Sequence, residues 1–435
     1  KKPNILFIMT DQQHSGMLSC AGDPCLKTPA MDRLAQEGVR FEKACCTNPV
    51  CVPSRTSMAT GVMSCRLGAP ENNSGKKIQQ LPPAVNENTM GRLMKRAGYD
   101  TFYGGKVHMC RPLHPKTSGY DQYFADERDA LPGACTSFIR QKREAPFFAV
   151  ASFINPHDIC YAHRARNGIN THNVLRLYEK ACSLPDSDLP PLPDNYDVPE
   201  NEPSAVTSGL DPEAITPAIR MRDAYTDRDW RITRWIYRRL TETVDRQIGE
   251  VLDGLEETGA AENTVVIFTS DHGNEDAAHR LTSKSLFYEE SVRVPFIMKY
   301  PAEIPGARVN NRYLVSTGLD ILPTLCDYAG VEQPSHLLGH SLRSPARGND
   351  IARPDGYIAA ENEWFRMLRT ERFKYCAFAD RNSAEWFGDL ENDPGEMRNL
   401  VDDPGFREAL NAHRKLLAEW SEISGDTAAA AFLKD

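Results

Sequence analysis

Four stretches of the chain are apolar at nearly every position: NILFIMT (4–10), PFFAVASF (146–153), TVVIFTS (264–270) and VPFIMKY (294–300). They are short, unbroken and rich in β-formers, which predicts parallel strands buried on both faces. Between them the apolar period changes. TPAMDRLAQEG carries Pro29 near a helix start and Gly38 as a stop, and NTMGRLMKRAG repeats the arrangement ahead of YDTFYGG. The longest helix is predicted around Ile232 to Leu255, where Ile232, Trp235, Ile236, Leu240, Val244, Ile248, Val251, Leu252 and Leu255 form one core-facing stripe. Alternating strand and helix predicts an α/β fold, an open sheet with helices on both faces. In such sheets ligands bind beyond the carboxyl ends of the strands.

Residues 183–217 break the alternation. They are rich in proline and acid without periodicity and read as a long excursion, because strand and helix patterning resumes after them. The last ninety or so residues change character. WFRMLRTERFKYCAF and EWFGDLENDPGEMRNL read as short antiparallel strands around a turn, followed by a helix from about Phe406 to Ile423. The expected organisation is a catalytic α/β domain over 1–342, containing the 183–217 excursion, and a smaller C-terminal α+β subdomain over 343–435.

The 435 residues carry a net charge of −9, which argues against a nucleic-acid surface; an anionic substrate would need a local cluster of cations. No apolar run is long enough to span a bilayer. The opening KKPNILFIMTDQQ reads straight into a strand without signal-peptide architecture, and the chain does not begin with Met. The compartment stays open: periplasmic or secreted if a leader was trimmed, otherwise cytoplasmic. The 12 cysteines show no C-x-x-C spacing, so most read as small buried hydrophobes, with pairing open for an exported protein.

Two strands end in acid: FIMTDQQ delivers Asp11 and Gln12, and VIFTSDHGNE delivers Asp271 and His272. Carboxylate and amide oxygens with one imidazole, brought to adjacent strand ends, suit a hard divalent cation; a single such Asp would equally serve as a turn or helix cap. In CVPSRTSMATG (51–61), Pro53 fits the first position of a short helix closed by Gly61. Cys51 would then lie just before a helix N-terminus, in a potential that stabilises an anion; a buried structural thiol is the competing reading.

C-x-P-S-R-x-S-x-x-T-G is similar to the signature of the formylglycine-dependent sulfatases. The resemblance extends along nearly the whole chain through NILFIMTDQ, GYDTFYGGKVH, SFINPHD, TSDHG, SKSLFYEESVRVPFIM, STGLDILPTLCDYAG and RMLRTERFKY. It implies an alkaline phosphatase-like fold: a large mixed, mostly parallel sheet sandwiched by helices, with a smaller C-terminal antiparallel-sheet subdomain. It also implies that Cys51 is oxidised to formylglycine by a maturation enzyme, and that the aldehyde hydrate attacks sulfur. Arg55 would hold the hydrate. Lys106 and His108 would contact it, with His108 the base for sulfate release, and His157 and Lys284 would serve the leaving-group side. Asp11, Gln12, Asp271, His272 and modified Cys51 would hold the metal. His279 and Arg280 fall where relatives place substrate contacts, with Asn155 and His163 weaker candidates.

Three positions depart from the family pattern: Gln12 replaces a second aspartate, His272 an asparagine, and Val107 an aromatic residue. The first two lower ligand charge, so Ca²⁺ remains favoured over Mg²⁺ but with a weaker donor set. The resemblance implies hydrolysis of sulfate monoesters on a sulfated small molecule or oligosaccharide. The competing expectations are a phosphonate or phosphate ester hydrolase using the same groups, and a sulfatase-like binding protein in which Cys51 stays unmodified.

Overall fold

The computed structural model describes residues 2–207, 215–349, 351–379 and 385–433. Its larger sheet is built from β1 (Asn4–Asp11), β2 (Val39–Cys45), β3 (Asp100–Gly105), β4 (Gln122–Phe124), β5 (Phe147–Pro156), β6 (Thr264–Ser270), β7 (Phe296–Lys299) and β8 (Arg308–Ser316). The strand order is β4-β3-β5-β1-β6-β7-β2-β8. All pairings are parallel except those of β7, which runs antiparallel to β6 and β2. The VPFIMKY run, expected to be parallel, is therefore the exception. A strand buried on both faces shows burial but not direction. A parallel partner needs a crossover, and the loop from β6 to β7 instead folds over the carboxyl edge.

Side chains alternate between two layers, as pleating requires. From β1, Ile5, Phe7 and Met9 face α3 (Met90–Arg96) and α6 (Thr317–Ala329). Leu6 and Ile8 face α1 (Pro29–Gln36), α4 (Leu131–Ile139) and α5 (Asp227–Glu257). All nine stripe residues of α5 are buried. Its start is fixed by a capping box in which Thr226 and Asp229 exchange backbone and side-chain hydrogen bonds. Here α2 is Cys51–Thr60, closed by left-handed Gly61 (φ 68). It starts at Cys51, two residues earlier than Pro53 suggests. A proline in the first helical turn removes an N–H that has no intrahelical acceptor, so the helix tolerates it there.

The smaller sheet, β9 (Tyr357–Glu361), β10 (Phe365–Thr370), β11 (Phe373–Phe378) and β12 (Glu385–Asp389), is antiparallel in the order β12-β11-β10-β9 and is covered by α7 (Arg407–Ser424). A short helix, Arg343–Arg347, still packs with the larger core through Ala346, so the smaller sheet starts well after residue 343. The excursion touches this sheet's neighbourhood: Glu200 N donates to Met397 O (2.8 Å), and Glu200 O accepts from Asn399 N (3.3 Å). Residues 208–214 of the excursion lie outside the described residues. No disulfide links the 12 cysteines. Among the described residues, no helix is long and apolar enough to cross a membrane.

Candidate active site

The neighbouring parallel strands β3, β5, β1 and β6 put their carboxyl ends on one edge, and each contributes chemistry there. Asp11 ends β1; Asp271 and His272 follow β6; Lys106 follows β3; His157 follows β5. Cys51 arrives as the first residue of α2, and Lys284 from the β6–β7 loop.

Arg55 organises the floor. Its Nε donates to Asp271 Oδ2 (2.7 Å) and Nη2 to Asp11 Oδ2 (2.8 Å), while Nη1 donates to Ser152 Oγ (2.8 Å) and Lys106 O (3.1 Å). The guanidinium is 1% exposed. Lys106 Nζ adds a second cation 2.7 Å from Asp11 Oδ2. Burial pushes the Asp11 carboxyl up, but Lys106, His157, Arg55 and Lys284 outweigh it and hold Asp11 well below the carboxylate range. Asp271 goes the other way: burial and Asp11 raise it against His272 and Arg55. None of the Arg55 hydrogen bonds among the described residues reaches Cys51 Sγ. With an unmodified thiol at position 51, Arg55 holds the two carboxylates.

Around Cys51 Sγ, Lys284 Nζ lies at 3.0 Å, His272 Nε2 at 3.2 Å and Asp11 Oδ1 at 3.8 Å. His272 Nδ1 is 2.9 Å from Gly273 O, which fixes the proton there and leaves the Nε2 lone pair for the site. Gln12 sits at φ 65, a left-handed conformation that is strained for a residue other than glycine. That conformation is held by Tyr237, whose hydroxyl donates to Gln12 O (2.6 Å), and by Asp271 Oδ1, which accepts from Gln12 N (3.1 Å). The side-chain amide donates to Asn274 Oδ1 (3.0 Å), so Oε1 faces inward and accepts from Lys284 Nζ (3.1 Å) and Cys160 Sγ (3.1 Å).

Asp11, Cys51, Asp271 and His272 present ligand atoms that all lie within 4.8 Å of one another. Two carboxylates, an imidazole lone pair and the amide oxygen of Gln12 fit a divalent cation. The Lys284 ammonium, in contact with Gln12 Oε1, Cys51 Sγ and His272 Nε2 together, marks where positive charge is wanted. Burial and Asp11 raise the Cys51 thiol, but Lys284, Lys106 and His272 prevail and leave it well below its usual value. The pocket thus stabilises an anionic group at position 51.

His157 is pushed down to about 3 by burial and by Lys106, so its ring is neutral at pH 7. The unfolded chain, with an ordinary histidine near 6.5, binds a proton that the native state refuses between those values. Stability is therefore lost as pH falls from about 6.5 towards 3. Denaturant unfolding of wild type and His157→Gln across this window is expected to show a slope difference approaching one proton, about 1.4 kcal/mol per pH unit. Parallel profiles would show that His157 titrates normally in the fold.

His108 is half-buried with φ 34, and its Nδ1 has no partner among the described residues. Asn155 is buried and its Oδ1 accepts from Asp158 N (3.4 Å); His163 is exposed on the short helix Ala162–Arg166. Arg280 is partly exposed, stacked over Tyr196 and 3.5 Å from Asp197. His279, expected beside Arg280 on the substrate side, is turned inward. It is 0% exposed, stacked on Tyr288 at 4.0 Å, and its Nε2 is taken by Gly395 O (2.8 Å). Several supporting residues escape sequence reasoning: Ser152 and Tyr103 hold the Lys106 carbonyl, and Cys160 and Asn274 orient Gln12. Their only signal is proximity to a motif.

A mostly parallel sheet that gathers an arginine-locked carboxylate pair, an imidazole and an anion-stabilising position at its carboxyl edge defines a hydrolase of the alkaline phosphatase-like class. The Sulfatase family profile matches residues 3–331, and that of N-sulphoglucosamine sulphohydrolase, C-terminal, matches residues 277–422. The chain belongs to the sulfatase family, the sulfuric ester hydrolases. It is 30% identical to the Delta 4,5-hexuronate-2-O-sulfatase of Bacteroides thetaiotaomicron, over 98% of this chain and 90% of that one. It is 26% identical to that organism's N-acetylglucosamine-6-O-sulfatase, over 96% and 86%. A solved 2-O GAG sulfatase superposes with a TM-score of 0.83 at 28% identity, covering 99% of this chain and 94% of that one. The phosphonate monoester hydrolase of Agrobacterium radiobacter shares the fold, with a TM-score of 0.73 at 22% identity over 97% and 96%.

Proposed function

We propose that this protein hydrolyses sulfate monoesters on a sulfated carbohydrate, using formylglycine made from Cys51 and a calcium ion. The observation that carries the reading is the convergence of Lys284, His272 and Asp11 on the side chain of residue 51 at the head of α2. The sugar class is supported by relatives named as hexuronate and N-acetylglucosamine sulfatases. The hydrated aldehyde supplies an oxygen nucleophile for sulfur and a second hydroxyl from which sulfate is released. Asp11, Gln12, Asp271 and His272 would hold the cation, which supplies positive charge for the ester's non-bridging oxygens; this oxygen-rich set favours Ca²⁺.

The remaining work falls to protein side chains. Burial opposes the charge on Lys284, yet Cys51, Cys160, Asp11 and Asp271 keep its ammonium protonated. With Lys106 it offsets the negative charge of the ester. His108 accepts the proton given up during sulfate release. His157 starts neutral and lies on the leaving-group side, where an anionic ester offsets Lys106 and Lys284 and favours a proton from solvent on the ring for the leaving oxygen. Arg280, with Asn155, contributes to the substrate wall. Cys51 is 1% exposed, so the maturation enzyme we propose as a partner acts on the segment before it folds.

Converted protein is expected to release sulfate from at least one defined sulfated disaccharide and to cleave phosphodiesters more slowly. Chelation is expected to lower the rate on the order of 100-fold or more, since cation charge is worth several kcal/mol, with Ca²⁺ restoring it better than Mg²⁺. Faster hydrolysis of phosphodiesters than of any sulfate ester would move the assignment to phosphonate or phosphate ester hydrolysis.

A further inference from the structure

We propose that Glu275, His279 and Glu290 form a second cation site, for a divalent metal of the zinc class, which braces the loop carrying Lys284. Their ligand atoms lie within 4.8 Å of one another. Glu275 and His279 are 0% exposed. Both Glu275 carboxylate oxygens, His279 Nδ1 and Glu290 Oε2 have no hydrogen-bond partner among the described residues. Unpartnered polar atoms are costly at this depth, and here four converge.

The arrangement around them is that of ligands already oriented. His279 Nε2 is 2.8 Å from Gly395 O; a carbonyl only accepts, so the ring proton is on Nε2 and Nδ1 turns its lone pair inward. Glu290 Oε1 accepts from Asn195 Nδ2 (2.9 Å), leaving Oε2 for the cluster. An imidazole fixed through its far N–H, beside a carboxylate held through its far oxygen, is the outer support typical of metal ligands. One imidazole and two carboxylates form a borderline donor set that suits zinc better than calcium or magnesium.

A proton is the alternative. Burial, with Glu290 and Glu396 nearby, pushes Glu275 well above the usual carboxyl range, and the Ser291 hydroxyl that eases it is outside hydrogen-bond geometry. A proton on Glu275 would serve one oxygen only, because His279 Nδ1 is 4.0 Å from Glu275 Oε2 and out of hydrogen-bond reach. The neighbouring cations are committed elsewhere: Lys374 to Glu289 and Glu396, and Arg222 to Glu202. A metal satisfies all three side chains together.

The site also has a task. In the loop after β6, Asp276, Ala277, His279, Arg280, Ser283 and Ser285 all have positive φ, between 43° and 79°. Lys284 lies between the last two. Asn195 and Gly395 come from the excursion and the C-terminal subdomain, so a cation there ties two distant segments to that strained loop.

The probe is Zn²⁺ alone, titrated calorimetrically into metal-stripped full-length protein, so the result does not depend on the sulfatase reading. One Zn²⁺ equivalent is expected to persist in Asp271→Asn, which impairs the active-site cluster. That equivalent should weaken at least roughly 100-fold in Glu275→Gln and in His279→Gln. Zn²⁺ should raise the melting temperature of Asp271→Asn but not of Asp271→Asn carrying Glu275→Gln or His279→Gln. If either variant fails to fold, X-ray absorption of zinc-loaded Asp271→Asn decides: one nitrogen and carboxylate oxygens are expected. Loss of all Zn²⁺ binding in Asp271→Asn, or unchanged binding in Glu275→Gln and His279→Gln, overturns the proposal.

Discussion

Cys51→Ala is expected to lower sulfate release by roughly four to six orders of magnitude, the loss typical of removing a nucleophile, while the protein stays folded. The expectation follows from what surrounds the side chain. Lys284, His272 and Asp11 all lie within 3.8 Å of the sulfur. Alanine keeps the helix start and removes only the reacting position. Sulfate release should be measured with the converted wild type as reference, alongside the denaturant midpoints of both proteins. Mass spectrometry of the peptide containing residue 51 separates the two ways a wild-type sample could be inactive: a thiol in protein from its native host would leave a binding protein, whereas an aldehyde without turnover would point to the wrong ester. A variant that keeps wild-type turnover would remove Cys51 from the reaction.

The site was legible in the sequence where function and burial share one pattern. Asp11 and Asp271 stand at the ends of unbroken apolar runs, so strand prediction and ligand prediction reach the same residues. Direction was not legible: β7 has the same composition as its parallel neighbours, and only the β6–β7 loop sets its sense. Depth is not legible from motif position either. His279 lies between Asp271 and Lys284 in sequence, yet the loop turns it inward against Tyr288. Its neighbour Arg280 faces out. A one-residue step between core and surface leaves no trace in spacing. Partner choice is the third blind spot, and Arg55 is its clearest case: the motif fixes that an arginine is needed, and only the fold shows which groups need it.

Arg55→Met should lower unfolding free energy by about 3–5 kcal/mol in chelator, the cost of leaving buried charge uncompensated. Methionine fills much of the same volume, so the loss reports charge more than packing. Asp11 and Asp271 are both 0% exposed and reach toward one guanidinium from adjacent strands, at 2.8 and 2.7 Å. Without it, Lys106 still serves Asp11, but among the described residues Asp271 keeps only the backbone donors Gln12 N and His272 N. Burial and Asp11 already raise Asp271, so the variant should bind a proton there and lose affinity for a cation in the same step. Saturating Ca²⁺ should then recover part of the stability at neutral pH and less of it at pH 5, where the proton competes. Arg55→Lys, which reaches one carboxylate at a time, should fall between the two. Denaturant unfolding with and without Ca²⁺ measures all three proteins. Unfolding of Arg55→Met at the wild-type midpoint in chelator would mean that the two strand ends hold their carboxylates without the arginine.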